Sequence, residues 1–296
     1  MTEAAGKVSF EDRTYDRFEL NPIAGALGAE IVGVDVNNLD DETFDDLYAA
    51  WLQYQVLAIR DQKLTPEQQK EFGRRFGELQ PHVFNKSIEG HPEITEILKT
   101  ENETLNNGGR WHTDQQYRPE PAKMTMLYAH EMPPHGGDTS FSSTYRGYET
   151  LSDGMKETLA GLKGINNGDS KNHPSGLTRM ERQKAGVGTI PQIDPGDAVT
   201  ISEHPIIRTH PETGRKVLYV GSHTERIAGW TKDESAALLD YLKIHNGQLH
   251  HTCRIKWEVG TITMWDNRCC LHFALNDYHG YRRRVHKLLI KGDVPF

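Results

Sequence analysis

His112 and Asp114, in Trp111-His112-Thr113-Asp114, form the tightest candidate metal grip in the chain. In an extended segment residues i and i+2 project to the same side, so an imidazole and a carboxylate at that spacing can hold one ion together. A further ligand from a distant strand would complete a facial triad of two His and one carboxylate. That set leaves cis positions open and is the usual signature of non-haem Fe(II) oxygenases, where iron must hold a co-substrate and O2 at once. With 15 His in 296 residues such pairs also arise by chance, and His91/Glu93, His210/Glu212 and His223/Glu225 share the spacing. His210/Glu212 falls in a hairpin turn and is expected at the surface. His223/Glu225 follows a strand and is the one serious internal competitor.

The C-terminal segment supplies the distant His and a run of cations. His272 is expected just after a strand, and Arg282-Arg283-Arg284-Val285-His286-Lys287 follows. At the strand period of two, Arg283, Val285 and Lys287 share one face, while Arg282, Arg284 and His286 share the other. Cations facing a barrel interior need anionic partners. A dicarboxylate co-substrate or an acidic substrate would satisfy them; a charged edge strand, wet on both faces, is the plain alternative.

The elements that must position these residues follow from local pattern. Phe44, Leu47, Tyr48, Trp51 and Leu52 recur at helical spacing between Asp41 and Tyr54. Thr65-Pro66-Glu67-Gln68 is a capping box with Pro at the first helical position, opening a helix to about Phe76 that stops at Gly77. Ser152 caps a short helix through Leu162, and Thr231 with Glu234 opens another. Gly25 to Val36 reads as an early strand pair, and strands are expected at Val56 to Arg60, Lys123 to Ala129, and in "TCRIKW", "TITMWD" and "RVHKLLI". Two β-rich runs around Pro211-Glu212-Thr213-Gly214 make a hairpin. Strands at both ends without a βαβ rhythm favour an antiparallel sheet, barrel or jelly roll with flanking helices. Ile165 to Val199 is rich in Gly, Asn, Pro and Asp with little periodicity, which suits a functional lid.

Composition narrows the class. Lys+Arg 34 against Asp+Glu 42 gives a net charge of -8, which argues against a nucleic-acid or anionic-membrane partner held by bulk charge. Mean hydropathy is -0.68 and no apolar run is long enough to span a bilayer. Met1 to Asn21 lacks an apolar core, so no secretory signal is expected. Three cysteines, two of them adjacent, form no disulfide framework and suit a reducing cytoplasm. One domain over residues 1–296 is expected, with a ragged N-terminus of about a dozen residues, a lid at about 165–199, and assembly as a homo-oligomer, dimer or tetramer.

"WHTD", "HGGDTSF", "RTHPETGRKVLYV" and "WDNRCCLHFALNDYHGYRRRVHK" together resemble the taurine/chlorophenoxyacetate dioxygenase family of Fe(II)- and 2-oxoglutarate-dependent oxygenases. The likeness extends to "GALGAEIVGVDV", "YQVLAIRDQKLTPEQQKEFGRRFGEL" and "GDVPF", from about Leu20 to Phe296. Each piece is weak alone; their order is specific. The resemblance implies a mainly β fold with a double-stranded β-helix (jelly roll, cupin-like) core and helices outside it. It implies His112, Asp114 and His272 as ligands of Fe(II). Thr139 and Arg283 are implied to contact the 2-oxoglutarate carboxylate, a role that suits a planar guanidinium. The implied reaction couples O2 and oxidative decarboxylation of 2-oxoglutarate, yielding succinate and CO2, to hydroxylation of a substrate C–H. Where that carbon bears a heteroatom, the hydroxylated product collapses with cleavage of the bond.

On the substrate side the resemblance implies His82 and Gln115 beside the substrate and a cation at Lys287. Two positions depart from taurine-type members: Lys287 stands where they carry Arg, and Gly108 where the taurine enzyme has Asn. Taurine itself is therefore put in doubt, and a small anionic organic substrate meeting Lys287 is expected, such as a sulfonate, phenoxyalkanoate or alkyl sulfate. Trp265-Asp266-Asn267 reads as structural. A zinc hydrolase could use the same triad with an activated water, but it has no use for Thr139 and Arg283. A non-enzymatic jelly-roll binding module has no reason to combine a triad with an inward Arg.

Overall fold

The computed structural model describes residues 13–171, 175–185 and 190–296. The expected ragged N-terminus and seven residues of the expected lid (172–174 and 186–189) lie outside the described residues. The strands are β1 (Glu19–Pro22), β2 (Ala29–Val32), β3 (Val56–Ile59), β4 (Ser87–Ile88), β5 (His91–Lys99), β6 (Met124–Glu131), β7 (Thr139–Ser143) and β8 (Lys163–Asn167). They continue with β9 (Ile201–Pro205), β10 (Ile207–Thr209), β11 (Lys216–Leu218), β12 (Thr224–Ile227), β13 (Thr252–Ile255), β14 (Ile262–Asp266), β15 (Cys270–Ala274) and β16 (Arg283–Ile290). Among the described residues they are accompanied by the α-helices α1 (Asp41–Tyr54), α2 (Pro66–Arg74), α3 (Thr144–Glu149), α4 (Asp153–Leu159), α5 (Arg179–Lys184) and α6 (Lys232–Asn246).

The chain is mainly β. Eight strands form one sheet in the order β1-β2-β3-β14-β6-β16-β5-β4, and β13-β7-β15 form a smaller one. Among the described residues all strand pairings are antiparallel except β2 with β3. The central strands of the large sheet are buried on both faces. Leu57, Ile59, Met124, Met126, Ile262, Met264, Leu288 and Ile290 pack outward against α1 and α2. Their strand neighbours Val56, Ala58, Leu127, Ala129, Trp265 and Val285 pack inward with Phe141, Cys253, Cys270 and Ile255 of the small sheet. This period-two division points Arg283, Val285 and Lys287 of β16 into the space between the sheets. The other face carries Arg284, which pairs with Glu131 and Glu96 near the surface.

Local chemistry sets the helix ends. The Asp40 carboxylate accepts from Thr43 N at 2.7 Å to start α1, which ends at Gln55 in the left-handed region (φ 67). Thr65 and Gln68 close the expected capping box on α2. Three expectations need correction. The first hairpin pairs Glu19–Pro22 with Ala29–Val32, so much of the small-residue run from Gly25 forms its turn rather than a strand. His272 lies in the middle of β15 rather than after a strand, because the turn after Asp266 closes by a Cys269 N to Asp266 O bond and extended chain resumes at Cys270. The 165–199 stretch is not devoid of structure: β8 runs to Asn167, and Thr178 with Glu181 forms a capping box on α5.

Candidate active site

The triad assembles by backbone pairing. His112 N donates to His272 O at 3.2 Å and His272 N to His112 O at 2.8 Å, so the His112 segment runs alongside β15. The pairing sets the imidazoles side by side, ring centroids 4.0 Å apart. Asp114 opens a turn just beyond, helped by Gln115 in the left-handed region (φ 54). Its Oδ1 lies 4.0 Å from His112 Nε2 and its Oδ2 3.8 Å from His272 Nε2. One ligand atom from each residue falls within 4.8 Å of the others.

Hydrogen bonds aim these groups. His112 Nδ1 donates to Arg110 O at 2.7 Å, which leaves the Nε2 lone pair for an ion. The Thr125 hydroxyl donates to Asp114 Oδ2 at 2.6 Å and accepts from Asn267 Nδ2 at 2.9 Å. Asn267 Oδ1 in turn accepts from Asp114 N at 3.2 Å and from Trp265 Nε1 at 2.9 Å. Burial pushes both imidazoles below their ordinary range, keeping them neutral. Burial works against the Asp114 carboxylate, but Lys287, His272 and His112 overcome it and hold the group well below the usual carboxylate range. Two neutral imidazoles and an ionised carboxylate are the protonation states a cation requires. His272 Nδ1 is buried without a hydrogen-bond partner among the described residues.

A cavity of about 140 Å³ opens over the triad. On one side of it lie Thr139 and Arg283. The Thr139 hydroxyl accepts from Trp257 Nε1 at 3.0 Å, and Arg283 Nε donates to Gly137 O at 3.1 Å with its guanidinium 5.2 Å from the Trp257 ring centroid. Among the described residues no carboxylate pairs with Arg283, although it is buried. A permanent cation held that way calls for an anion from outside the chain. The residues therefore fit Fe(II) at His112, Asp114 and His272 and the distal carboxylate of 2-oxoglutarate at Arg283 and Thr139.

His82 and Gln115 also line the cavity. His82 Nδ1 accepts from Phe84 N and Asn85 N, so Nε2 carries the proton, and burial holds the ring neutral. Gln115 Oε1 accepts from Gln80 Nε2 at 2.9 Å, and its Nε2 is buried without a partner among the described residues. Lys287 differs from the expectation of a free anion receptor: its Nζ lies 2.6 Å from Asp114 Oδ1, an ion pair within the chain. Gly108 (φ 85) lies against His112, where a Cβ would sit 3.3 Å from Cε1, so any larger residue would crowd the ring.

The competing pairs separate cleanly. His223 lines the cavity with its ring 6.1 Å from that of His112, but Glu225 turns away to Ser170, Asn167 and Lys232. His210 is not at the surface. It is wholly buried and bonded to Asp266 at 2.9 Å, because the hairpin folds back onto the turn after β14. Sequence reasoning also missed Thr125, Trp257 and Arg179. The first two lie on or beside strands with no motif; Arg179 opens α5, and its Thr178-Leu177 context carried a legible cap.

The chain is similar to known proteins along most of its length. The model of the taurine catabolism dioxygenase TauD, TfdA family matches residues 19–289. An (S)-phenoxypropionate/alpha-ketoglutarate-dioxygenase of Sphingobium herbicidovorans is 33% identical over 264 residues, 87% of this chain and 89% of that protein. An alpha-ketoglutarate-dependent sulfate ester dioxygenase of Pseudomonas putida is 28% identical over 284 residues, covering 94% and 90%. The solved structure of a taurine dioxygenase from Burkholderia xenovorans superposes with a TM-score of 0.79 at 32% identity, covering 94% and 91%. The fold and site define a non-haem iron dioxygenase that uses Fe(II), 2-oxoglutarate and O2. The chain belongs to the TauD/TfdA family. Among the described residues no helix is long and apolar enough to cross a membrane.

Proposed function

We propose that this dioxygenase hydroxylates a small anionic organic molecule, a sulfonate, phenoxyalkanoate, alkyl sulfate or similar, often with cleavage of a carbon–heteroatom bond. The observation that carries the reading is the charge of the cavity wall: Arg179, Arg283 and Lys287 stand against the single carboxylate of Asp114. Fe(II) and 2-oxoglutarate, when bound, supply the oxidising power for attack on a C–H bond, with succinate and CO2 released.

The chain's own residues position and shield. His112, Asp114 and His272 would hold the ion, and Thr125 with Asn267 keeps the carboxylate aimed. Arg283 and Thr139 would take the co-substrate carboxylate, for which a buried guanidinium is suited by its charge and planar fork. His82, Gln115 and Lys287 border the substrate, and Gly108 leaves room beside His112. The stretch 165–199 serves as a lid that excludes water; Arg179, Ile190 and Gln192 from its described part line the cavity, and Gln192 bonds Asn85 at 3.1 Å. The two facing sheets form a double-stranded β-helix core in one domain. Free, buried Cys253, Cys269 and Cys270 support residence in a reducing cytoplasm. Exposed Tyr241, Ile244 and Leu249 support assembly as a dimer or tetramer.

The test is succinate release from 2-oxoglutarate across a panel of sulfonates, phenoxyalkanoates, alkyl sulfates and amino acids, with and without Fe(II). Iron-dependent stimulation by an anionic member is expected. Stimulation confined to neutral or cationic compounds would refute the substrate class.

A further inference from the structure

Three permanent cations line the cavity, and their partners differ. Lys287 is committed to Asp114. Arg283 faces Thr139 and Trp257, where the co-substrate carboxylate is expected. Arg179 has neither a carboxylate partner among the described residues nor a role in either arrangement.

Arg179 is nonetheless held in place. Its Nε donates to Gly168 O at 2.6 Å, and its guanidinium carbon lies 5.0 Å from the Phe84 ring centroid and 6.0 Å from that of Tyr117. The nearby carboxylates are already engaged. Asp169 accepts from the backbone N of Arg179 at 2.5 Å, and Glu181 accepts from Thr178 N and pairs with Lys171. Gly168 makes the packing possible, since a Cβ there would lie 2.7 Å from Tyr117 ring carbons. The anchored Nε leaves the two terminal nitrogens of the fork to point elsewhere. Arg179 lines the triad cavity with His82, Tyr117 and His223, and it also lines an adjoining cavity of about 330 Å³ that carries Arg110 and Arg182. It thus stands where the approach from outside meets the metal site.

We propose that Arg179 is the anion receptor for the prime substrate, gripping an organic oxyanion with the end of its fork while Phe84 backs the guanidinium and Tyr117, which lines the cavity, borders the substrate's apolar body. This rests on the anionic-substrate reading above and moves the recognition charge from Lys287 to α5. Electrostatics favours the assignment. An ammonium neutralised by a metal-ligand carboxylate has little attraction left for a substrate, whereas an uncompensated guanidinium in a half-buried wall gains an ion pair. The shared ligand chemistry is a tetrahedral or planar oxyanion on a short apolar chain: a sulfate ester, a sulfonate or a carboxylate.

The experiment is calorimetric titration of the protein loaded with Fe(II) and 2-oxoglutarate under argon, using hexyl sulfate, hexane-1-sulfonate, heptanoate and 1-hexanol as probes. Wild type, Arg179→Gln, Arg179→Lys and Lys287→Met are compared, and 2-oxoglutarate affinity is measured separately for each. Losing a charge-assisted hydrogen-bonded pair should weaken the preferred anion by roughly tenfold to a hundredfold in Arg179→Gln. Hexanol binding and 2-oxoglutarate affinity should stay within about twofold of wild type, a change worth less than RT. Arg179→Lys should recover part of the loss, and Lys287→Met should leave anion binding nearer wild type than Arg179→Gln does. Equal anion affinity in wild type and Arg179→Gln, or a larger loss in Lys287→Met, overturns the assignment to Arg179 alone. A wild-type protein that takes 2-oxoglutarate but none of the anions overturns the anionic substrate class together with it. The ranking of the three anions in wild type separates the sulfate, sulfonate and carboxylate sources.

Discussion

Among the described residues, two constellations of His and Asp have ligand-like spacing, and one of the two is open. His112, Asp114 and His272 face a cavity, with ring nitrogens on two neutral imidazoles left for an ion. His210, Asp266 and Cys269 lie equally close together but wholly inside the core. There Asp266 is already neutralised: Arg268 bonds both of its oxygens, at 2.9 and 2.7 Å, and His210 Nε2 bonds Oδ2. His210 Nδ1 accepts from Thr213 N, and Arg268 reaches Glu212 at 2.5 Å, which Tyr48 holds from the other side. Burial keeps the Cys269 thiol protonated by raising its pKa. Proximity of donor atoms therefore does not make a metal centre. An open lone pair and an uncommitted charge do.

Breaking the open cluster should have the largest effect. Asp114→Ala should lower Fe(II)- and 2-oxoglutarate-dependent turnover by roughly a thousandfold or more, beyond the roughly ten- to hundredfold cost of losing a group that only orients a ligand. Succinate assays would show it, and near-wild-type turnover would remove Asp114 from the site. The sealed cluster should respond in stability instead. Asp266→Asn leaves Arg268 and His210 short of their counter-charge, and the denaturation free energy should fall by about 3–5 kcal/mol, the usual cost of breaking a buried pair, with iron stoichiometry retained in the folded fraction.

Lys287 sharpens the contrast because it is a protein cation inside the open cluster. Lys287→Met should destabilise the metal-free protein by about 1–3 kcal/mol, the cost of leaving a buried carboxylate without its partner. The Mn(II)-loaded protein should lose less, so the thermal shift on adding metal should grow. A shift that shrinks would mean that Lys287 helps to retain the metal.

The smallest effect lies on the outer face of the large sheet, near β16. His130 and His286 have ring centroids 4.0 Å apart, and burial lowers each to a pKa of about 4. Arg284 faces both, and Glu96 lies 3.6 Å from His286 Nε2. Because the folded imidazoles bind protons less readily than unfolded ones, their contribution is complete above about pH 6.5 and is lost as pH falls toward about 4. Urea midpoints of wild type and His286→Gln should converge over that window. Parallel curves would show that the pair does not titrate on unfolding.

Sequence and structure agree best where the signal is local. Asp41–Tyr54, Thr65 with Gln68 and Thr231 with Glu234 carry their boundaries in a few adjacent residues, and the helices begin where those residues say. The i, i+2 spacing that sets His112 and Asp114 beside one another is legible for the same reason. Non-local partners were not. Nothing near His210 announces Arg268, so a His in a Pro-Glu-Thr-Gly turn reads as surface. Arg283 and Lys287 share a face, yet only the fold brings Asp114 to Lys287 and leaves Arg283 without a carboxylate. Thr178-Arg179-Met180-Glu181 carries a capping box like that of α6, but its Gly- and Pro-rich surroundings hid a helix of six residues.

We propose that the open triad binds the metal and that the sealed His210 cluster does not. Anaerobic equilibrium dialysis against Fe(II) tests it most directly in wild type, Asp114→Ala and Cys269→Ala. One ion per chain is expected in wild type and Cys269→Ala, with none bound tightly in Asp114→Ala. Two ions per wild-type chain, loss of the ion in Cys269→Ala, or full binding in Asp114→Ala would contradict it.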